Sequence, residues 1–174
     1  RVRLGDTVSL ALSARPFSRE SARVSRIYPV AEVTRTGNVF RVIASLDAEK
    51  SLNALSLPMI EALDARLKAW AEDPTIACVM LRGNGPKAFC AGGDVVQLLQ
   101  QCREHPGEVP PLARRFFADE YRLDHRIHSY PKPFICWAHG HVLGGGMGLA
   151  QAASLRVITE RTRMGMPEVG IGFF

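Results

Sequence analysis

The sequence predicts an α/β fold, and three observations carry that prediction. Short apolar runs alternate along the chain with segments of helical periodicity. Two of the runs, "IACVMLRG" (Ile76–Gly83) and "FICWA" (Phe134–Ala138), are apolar almost throughout, as strands flanked by helices are. Each leads through a glycine-rich loop, "CAGGD" (Cys90–Asp94) and "GHVLGGGMG" (Gly140–Gly148), into a helical segment, the alternation that sandwiches a sheet between helices.

The elements follow in order. "NVFRVIASL" (Asn38–Leu46) alternates as a strand, with Val39, Arg41, Ile43 and Ser45 on one face and Phe40, Val42, Ala44 and Leu46 on the other. Ser56 is a suitable N-cap, and Pro58 falls in the first helical turn, where its missing N–H costs nothing. Ile60, Leu63, Leu67 and Trp70 then recur at helical spacing until "EDP" stops the helix near Asp73. The strand Ile76–Gly83 follows, and "NGPKAFCAGG" reads as a loop entering a helix at about Asp94, with Val95, Leu98, Leu99 and Cys102 inward. After the break "REHPGEVPP", a long helix is predicted over Leu112–Ser129 on Phe116, Phe117, Tyr121, Leu123 and Ile127. "KPFICWAHG" gives a strand, "GGMGLAQAAS" a small-residue helix, "LRVITE" a strand and "RMGMPEVGIG" a loop.

At 174 residues and 47% hydrophobic content the chain can bury one core. No apolar run reaches the ~18 residues of a membrane span, so no membrane partner is expected. The cysteines, Cys78, Cys90, Cys102 and Cys136, form no C-x-x-C pair, which favours reduced thiols over disulfides or zinc. Residues 1–30 hold six arginines against Asp6 and Glu20, which is four of the five net positive charges. The remainder is close to neutral and lacks a basic stripe, so no nucleic-acid partner is expected. Residues 1–33 are set apart as a basic Arg/Ser-rich leader, either a variable extension or a transit segment. A transit segment implies the mitochondrial matrix; otherwise a bacterial cytoplasm is expected. The start without Met and the end at "GIGFF" lead to the expectation of a piece of a longer protein.

Glycines are costly to order, so a cluster needs a reason. At a strand-to-helix junction the first helical N–H groups lack partners and make a local anion site. Two such loops can converge to hold the oxygen of a polarised carbonyl, with the glycines leaving room for an acyl group. A Walker A loop is excluded by the missing G-K-[ST], and Glu160 is a weak match for the acid of a dinucleotide site. Close helix–strand packing through small residues remains open as a purely structural reading.

"GPKAFCAGGDV", "HGHVLGGGMGLA" and "MPEVGIG", with "KSLNAL" and "FFADEYRLDHRIHSYPKP", occur in this order between Asp47 and Phe174. Together they resemble the crotonase (enoyl-CoA hydratase/isomerase) superfamily, and within it most the 3-hydroxyisobutyryl-CoA hydrolase subfamily. The resemblance implies the ββα spiral fold, with residues 34–174 as the N-terminal part of a catalytic domain that is incomplete at its C-terminus. It also implies an acyl-CoA thioester as substrate, with coenzyme A part of that substrate rather than a cofactor, and allows a homo-oligomer for the full-length protein.

By motif position the resemblance places the oxyanion-binding N–H groups on Ala91 and Gly145, with Gly92 and Gly144 beside the substrate. The family's hydratases carry one catalytic acid where this chain has Gly148, and a second at the position of Glu168. Hydration needs both acids to handle one water, so Gly148 points away from it. The hydrolase subfamily pairs the matching glutamate with an aspartate in a downstream Pro-Asp, beyond Phe174. Its substrate-contacting acid matches Glu120, and its coenzyme-binding loop begins at Lys50. His141, flanking the glycine loop, is a further candidate for the pocket wall.

The reaction implied is thioester hydrolysis of a short branched 3-hydroxyacyl-CoA in valine breakdown. Glu168 serves as nucleophile or as base. The alternatives are an enoyl-CoA hydratase or isomerase and a CoA-binding fragment without turnover. "DHRIH" places Asp124, His125 and His128 on one helix but offers no further ligands, so no metal is expected. Cys90 reads as a small buried residue rather than a nucleophile, and the absence of G-x-S-x-G disfavours a serine thioesterase.

Overall fold

The computed structural model describes residues 7–12, 19–23, 32–34 and 37–172. Its strands are β1 (Thr7–Leu12), β2 (Arg19–Arg23), β3 (Glu32–Thr34), β4 (Gly37–Leu46), β5 (Ile76–Gly83), β6 (Ala88–Cys90), β7 (Phe134–Ala138), β8 (His141–Leu143), β9 (Leu155–Ile158) and β10 (Arg163–Gly165). Its helices are α1 (Leu57–Glu72), α2 (Val95–Glu104), α3 (Pro111–His128) and α4 (Gly145–Ala152).

A seven-stranded sheet runs in the order β2-β1-β9-β7-β5-β4-β3. Its centre, β4, β5, β7 and β9, is parallel throughout. Strands β1 and β2 extend it antiparallel at one edge, and β3 does so at the other. Both β1 and β2 lie within residues 1–33, of which residues 1–6, 13–18 and 24–31 lie outside the described residues.

The sheet's inner face follows from the predicted alternation. On β4, Leu46 is buried and Val42 and Ala44 half-buried, while Arg41, Ile43 and Ser45 point outward. Strands β5 and β7 bury Val79, Leu81, Phe134, Cys136 and Ala138 completely, and the residues between them remain more open. The apolar runs therefore bury one face more deeply than the other.

Helix α1 forms as its sequence predicts. The Ser56 hydroxyl accepts from the Met59 N–H at 3.4 Å, and Leu57, Ile60, Leu63 and Leu67 are buried. They face α3, whose buried stripe is Ala113, Phe116, Glu120, Leu123 and Ile127. Ion pairs from Arg115 to Glu61 and from Arg126 to Asp64 fasten the seam between the helices.

Two expectations are corrected. On α2 only Leu98 is buried; Val95 and Leu99 are 43% and 52% exposed, and Cys102 is exposed. The apolar spacing there marks a face that no described residue covers. The segments read as plain loops also contain the short strands β6, β8 and β10, which form a second, fully parallel sheet in the order β10-β8-β6. A three-residue strand is too short to show a period, so only tertiary pairing defines it.

Candidate active site

Because β6, β8 and β10 are parallel, their C-terminal ends lie along one edge of the small sheet. The segments that follow are Ala91–Asp94, the Gly144–Gly145 entry to α4, and Met166–Glu168. Three pieces of chain distant in sequence are thus delivered to one place. The Gly144 N–H donates to the Gly165 carbonyl at 3.0 Å, which ties the second segment to the third.

The first two segments touch through their glycines. Gly92 has φ +101°, and a Cβ there would stand 3.2 Å from the Leu143 carbonyl oxygen and 3.7 Å from Gly144 Cα. Gly144 has φ +51°, and its Cβ would meet Glu168 Oε1 at 2.5 Å. Left-handed backbone and a crowded interface exclude side chains at both positions. Gly146 packs as closely on Cys90, whose carbonyl oxygen would lie 2.5 Å from an added Cβ.

A turn upstream sets the first loop. Asn53 is 1% exposed and fully bonded. Its Nδ2 donates to the carbonyls of Asn84 and Ala88, each at 2.9 Å, and its Oδ1 accepts from the Ala48 N–H at 3.0 Å. That clasp holds Leu52 and Asn53 in left-handed backbone, with φ +55° and +57°, a conformation in which asparagine is at home and leucine is not. It aims the Leu52 carbonyl at the Ala91 N–H, which donates to it at 3.0 Å.

This corrects the expectation for Ala91: its N–H is already committed. The Leu55 N–H bonds the Gly92 carbonyl at 2.7 Å and the Asp94 N–H bonds the Leu55 carbonyl at 2.8 Å, which leaves the Gly93 N–H without a hydrogen bond among the described residues. Gly145, the first residue of α4, keeps its N–H free in the same way. Gly93 and Gly145 therefore each offer a free N–H at this edge, as Gly92 does in the first loop, whereas Ala91 does not. The signal was present in the sequence: Gly93 directly precedes the helix cap Asp94, whose carboxylate accepts from the Gln97 N–H at 3.2 Å.

Carboxyl groups surround this edge. Glu168 begins a one-turn helix (Glu168–Ile171), sets Oε1 beside Gly144 and leaves Oε2 buried without a hydrogen-bond partner. Glu120 comes from α3, is 5% exposed, and puts Oε1 where a side chain at position 145 would collide with it. Asp124, one turn further along α3, sets Oδ2 2.8 Å from where a Cβ at position 148 would be. Burial pushes the Glu120 carboxyl up to about 7, with further contributions from the negative charges of Asp124 and Glu168. Burial also pushes Asp124 up to about 6.

Asp124 was not singled out from the sequence as a site residue. The available sign was a polar stretch on an apolar stripe: Glu120 falls in register with Phe116, Leu123 and Ile127, and Asp124 lies one turn from Glu120.

The remaining candidates stand elsewhere. Lys50 is exposed in a one-turn helix (Glu49–Ser51) and borders a shallow depression with Asp47, Glu49 and Asn84. His141 is corrected: it opens β8 at the end opposite the glycine turn and is exposed, its N–H bonded to the Lys87 carbonyl at 3.1 Å. Cys90 is fully buried and burial pushes its thiol up to about 12, so it is no thiolate at neutral pH. The large groove between α1 and α3 is lined by Glu61, Asp64, Lys68, Arg115 and Arg122, and shares no residue with the glycine segments.

An α/β spiral whose small parallel sheet gathers free backbone N–H groups and buried carboxyls at one edge is the architecture of the crotonase fold. The solved structure of a carnitinyl-CoA dehydratase from Mycobacterium thermoresistibile superposes with a TM-score of 0.71 at 41% identity, over 76% of this chain and 38% of that one. Residues 41–174 match the family model described as enoyl-CoA hydratase/isomerase, and the chain belongs to that family. It is 41% identical over 132 residues to the mitochondrial 3-hydroxyisobutyryl-CoA hydrolase of Gallus gallus and 38% identical over 132 residues to that of Homo sapiens. Each match covers 76% of this chain and 33% of the relative, so the chain spans about a third of the length of these proteins.

Proposed function

We propose that the protein hydrolyses a CoA thioester of a short branched 3-hydroxyacyl group, 3-hydroxyisobutyryl-CoA, to the free acid and CoA, a step in valine breakdown. The observation that carries this reading is the single edge where the Gly93 and Gly145 N–H groups are free, Glu168 stands beside Gly144, and position 148 bears no acid. The curated relatives named as hydrolases support the choice of substrate.

In this mechanism the thioester carbonyl oxygen lies between the N–H groups of Gly93 and Gly145. They take up the negative charge that develops as the carbonyl carbon becomes tetrahedral. Glu168 supplies the attacking oxygen, its own or that of a water whose proton it accepts. The new C–O bond forms, the C–S bond breaks, and CoA departs as a thiolate that takes a proton from solvent. If the oxygen is that of Glu168, water then cleaves the resulting anhydride and restores the carboxylate. Glu120, beside Gly145, contacts the acyl group.

An enoyl-CoA hydratase or isomerase is the second reading, favoured by the names of the solved relatives and opposed by Gly148. The test is thiol release from 3-hydroxyisobutyryl-CoA, set beside hydration of crotonyl-CoA. The hydrolase reading requires the first to exceed the second and to vanish in Glu168→Gln. The opposite ranking, or full thiol release by Glu168→Gln, overturns it. Measured on the 174-residue chain and on a longer natural form, the same assay separates a catalytic segment from one that only binds CoA.

A further inference from the structure

Glu120 is more than nine-tenths buried, yet it has neither a hydrogen bond nor an ion pair among the described residues. Its carboxyl points into the turn at Gly145. On the next turn of α3, Asp124 sets Oδ2 over Gly148, and its Oδ1 is buried with no hydrogen-bond partner. A residue four positions along a helix lies on the same face, so the two carboxyls stand side by side above the start of α4.

The charge facing this pair is negative: Glu168 lies on its side from the third segment, and the Cys90 thiol on β6, protonated and neutral, brings no positive charge. The ion-paired cations of α1 and α3 are held by other acids: Lys68 and Arg126 by Asp64, Arg115 by Glu61 and Asp119, Arg122 by Asp119. Arg66, Arg114, His125 and His128 on the same helices make no ion pair with Glu120 or Asp124 among the described residues. Two adjacent carboxyls removed from water with no cation paired to them resist ionising together and hold protons above the ordinary carboxylate range.

We propose that Asp124 is a positioning residue of this site, forming with Glu120 a buried carboxyl pair that keeps one proton over the Gly145–Gly148 turn, so that Glu120 meets the acyl group as a hydrogen-bond donor. The inference rests on the thioester-binding reading of the site and deepens it. Oδ1 of Asp124 is sealed from solvent and Oδ2 lies over Gly148 rather than over the Gly144–Gly145 turn, so in this proposal Asp124 acts through Glu120. Of the pair, Glu120 holds the proton more tightly, because its residue is buried where Asp124 is half-buried and because it also feels the charges of Asp124 and Glu168. A protonated Glu120 does not repel the Glu168 carboxylate and presents an O–H to an oxygen of the acyl chain, either the thioester carbonyl or a hydroxyl near it. Gly148 acquires a reason as well: a side chain there would displace Asp124 from its place beside Glu120.

The test is an NMR titration of protein labelled with ¹³C at its glutamate and aspartate carboxyls, without substrate. In the unsubstituted protein the Glu120 and Asp124 signals must titrate as a coupled pair, each responding to both steps; independent single-step curves overturn the proposal. In Asp124→Asn the Glu120 midpoint must fall by about one pH unit or more as the neighbouring charge is lost, and in Asp124→Glu it must stay raised. An unmoved midpoint in Asp124→Asn overturns the proposal. The alkaline limb of kcat/KM must move to lower pH in the same variant. The titration uses no substrate, so its failure leaves the hydrolase reading standing, and failure of the thiol-release assay leaves the pair standing.

Discussion

Glu120 occupies the space that a side chain at Gly145 would need: a Cβ at position 145 would collide with its Oε1 and would meet Leu55 Cδ1 at 3.3 Å. The glycine is therefore required by a carboxyl from another helix, as well as by the approach of a ligand. Gly145→Ala must push Glu120 aside and shift the first N–H of α4. Thioester cleavage is expected to fall about 10²-fold, because displacements of about an ångström cost that much in an oriented site. Steady-state thiol release checks it; a variant within threefold of the parent contradicts the packing argument.

The donor assignment separates Gly93 from Ala91. Replacing the Gly92–Gly93 amide by an ester removes the free N–H, and kcat should fall about 10²–10³-fold, the usual cost of one oxyanion donor. The same replacement at the Cys90–Ala91 bond removes the hydrogen bond to the Leu52 carbonyl. That change should lower stability by about 1 kcal/mol with a much smaller effect on kcat. Reversal of the two outcomes would restore Ala91 as the donor.

The difference shows what was legible in the sequence. The periodic elements α1, α3 and β4 are apparent from spacing and β5 from its continuous apolar run, and Ser56 with Pro58 marks the start of α1 correctly. The glycine runs point to the family, and the missing acid at position 148 carries the proposal for the reaction. The strands β6, β8 and β10 have no period of their own, and they decide which N–H remains free. Ala91 and Gly93 are equally small and two residues apart, and only the carbonyl of Leu52, held by Asn53, distinguishes them. His141 sits beside the glycines in sequence but at the other end of a strand in space.

Asn53 satisfies groups on both sides of that clasp. Asn53→Ala would leave the Ala48 N–H and the carbonyls of Asn84 and Ala88 without its amide. A loss of about 2–3 kcal/mol is expected from the stranded groups, read as a lower urea midpoint. Asn53→Asp should be nearly as damaging, since it removes both donors while keeping the acceptor.

Stability should also fall with rising pH because of the site itself. The carboxyls of Glu120 and Asp124 are raised above their ordinary values, to about 7 and about 6. A raised folded-state value means the folded protein holds protons that the unfolded chain has released. Stability is then fully present below pH ~4 and is lost as pH rises through the raised values. Glu120→Gln removes that loss for its own group, so at pH 8 it should be more stable than the parent by about 1–3 kcal/mol, with little difference at pH 4. Thermal unfolding at the two pH values checks the sign; equal effects at both would mean that Glu120 is not held protonated.

Gly148 offers the last test, because its neighbour is now known. An acid introduced there would meet Asp124 Oδ2, which stands only 2.8 Å from the new Cβ. Gly148→Glu alone is therefore expected to destabilise the fold by about 2–3 kcal/mol, combining overpacking with an added like charge. Adding Asp124→Gly clears that space, and the double variant should recover at least half of the loss. If position 148 is where water addition to a double bond draws its second acid, the double variant should also gain hydration of crotonyl-CoA above the parent. Recovery of stability without hydration would separate the two arguments: the packing of Asp124 on Gly148 would stand, and the missing acid would not be what sets the reaction.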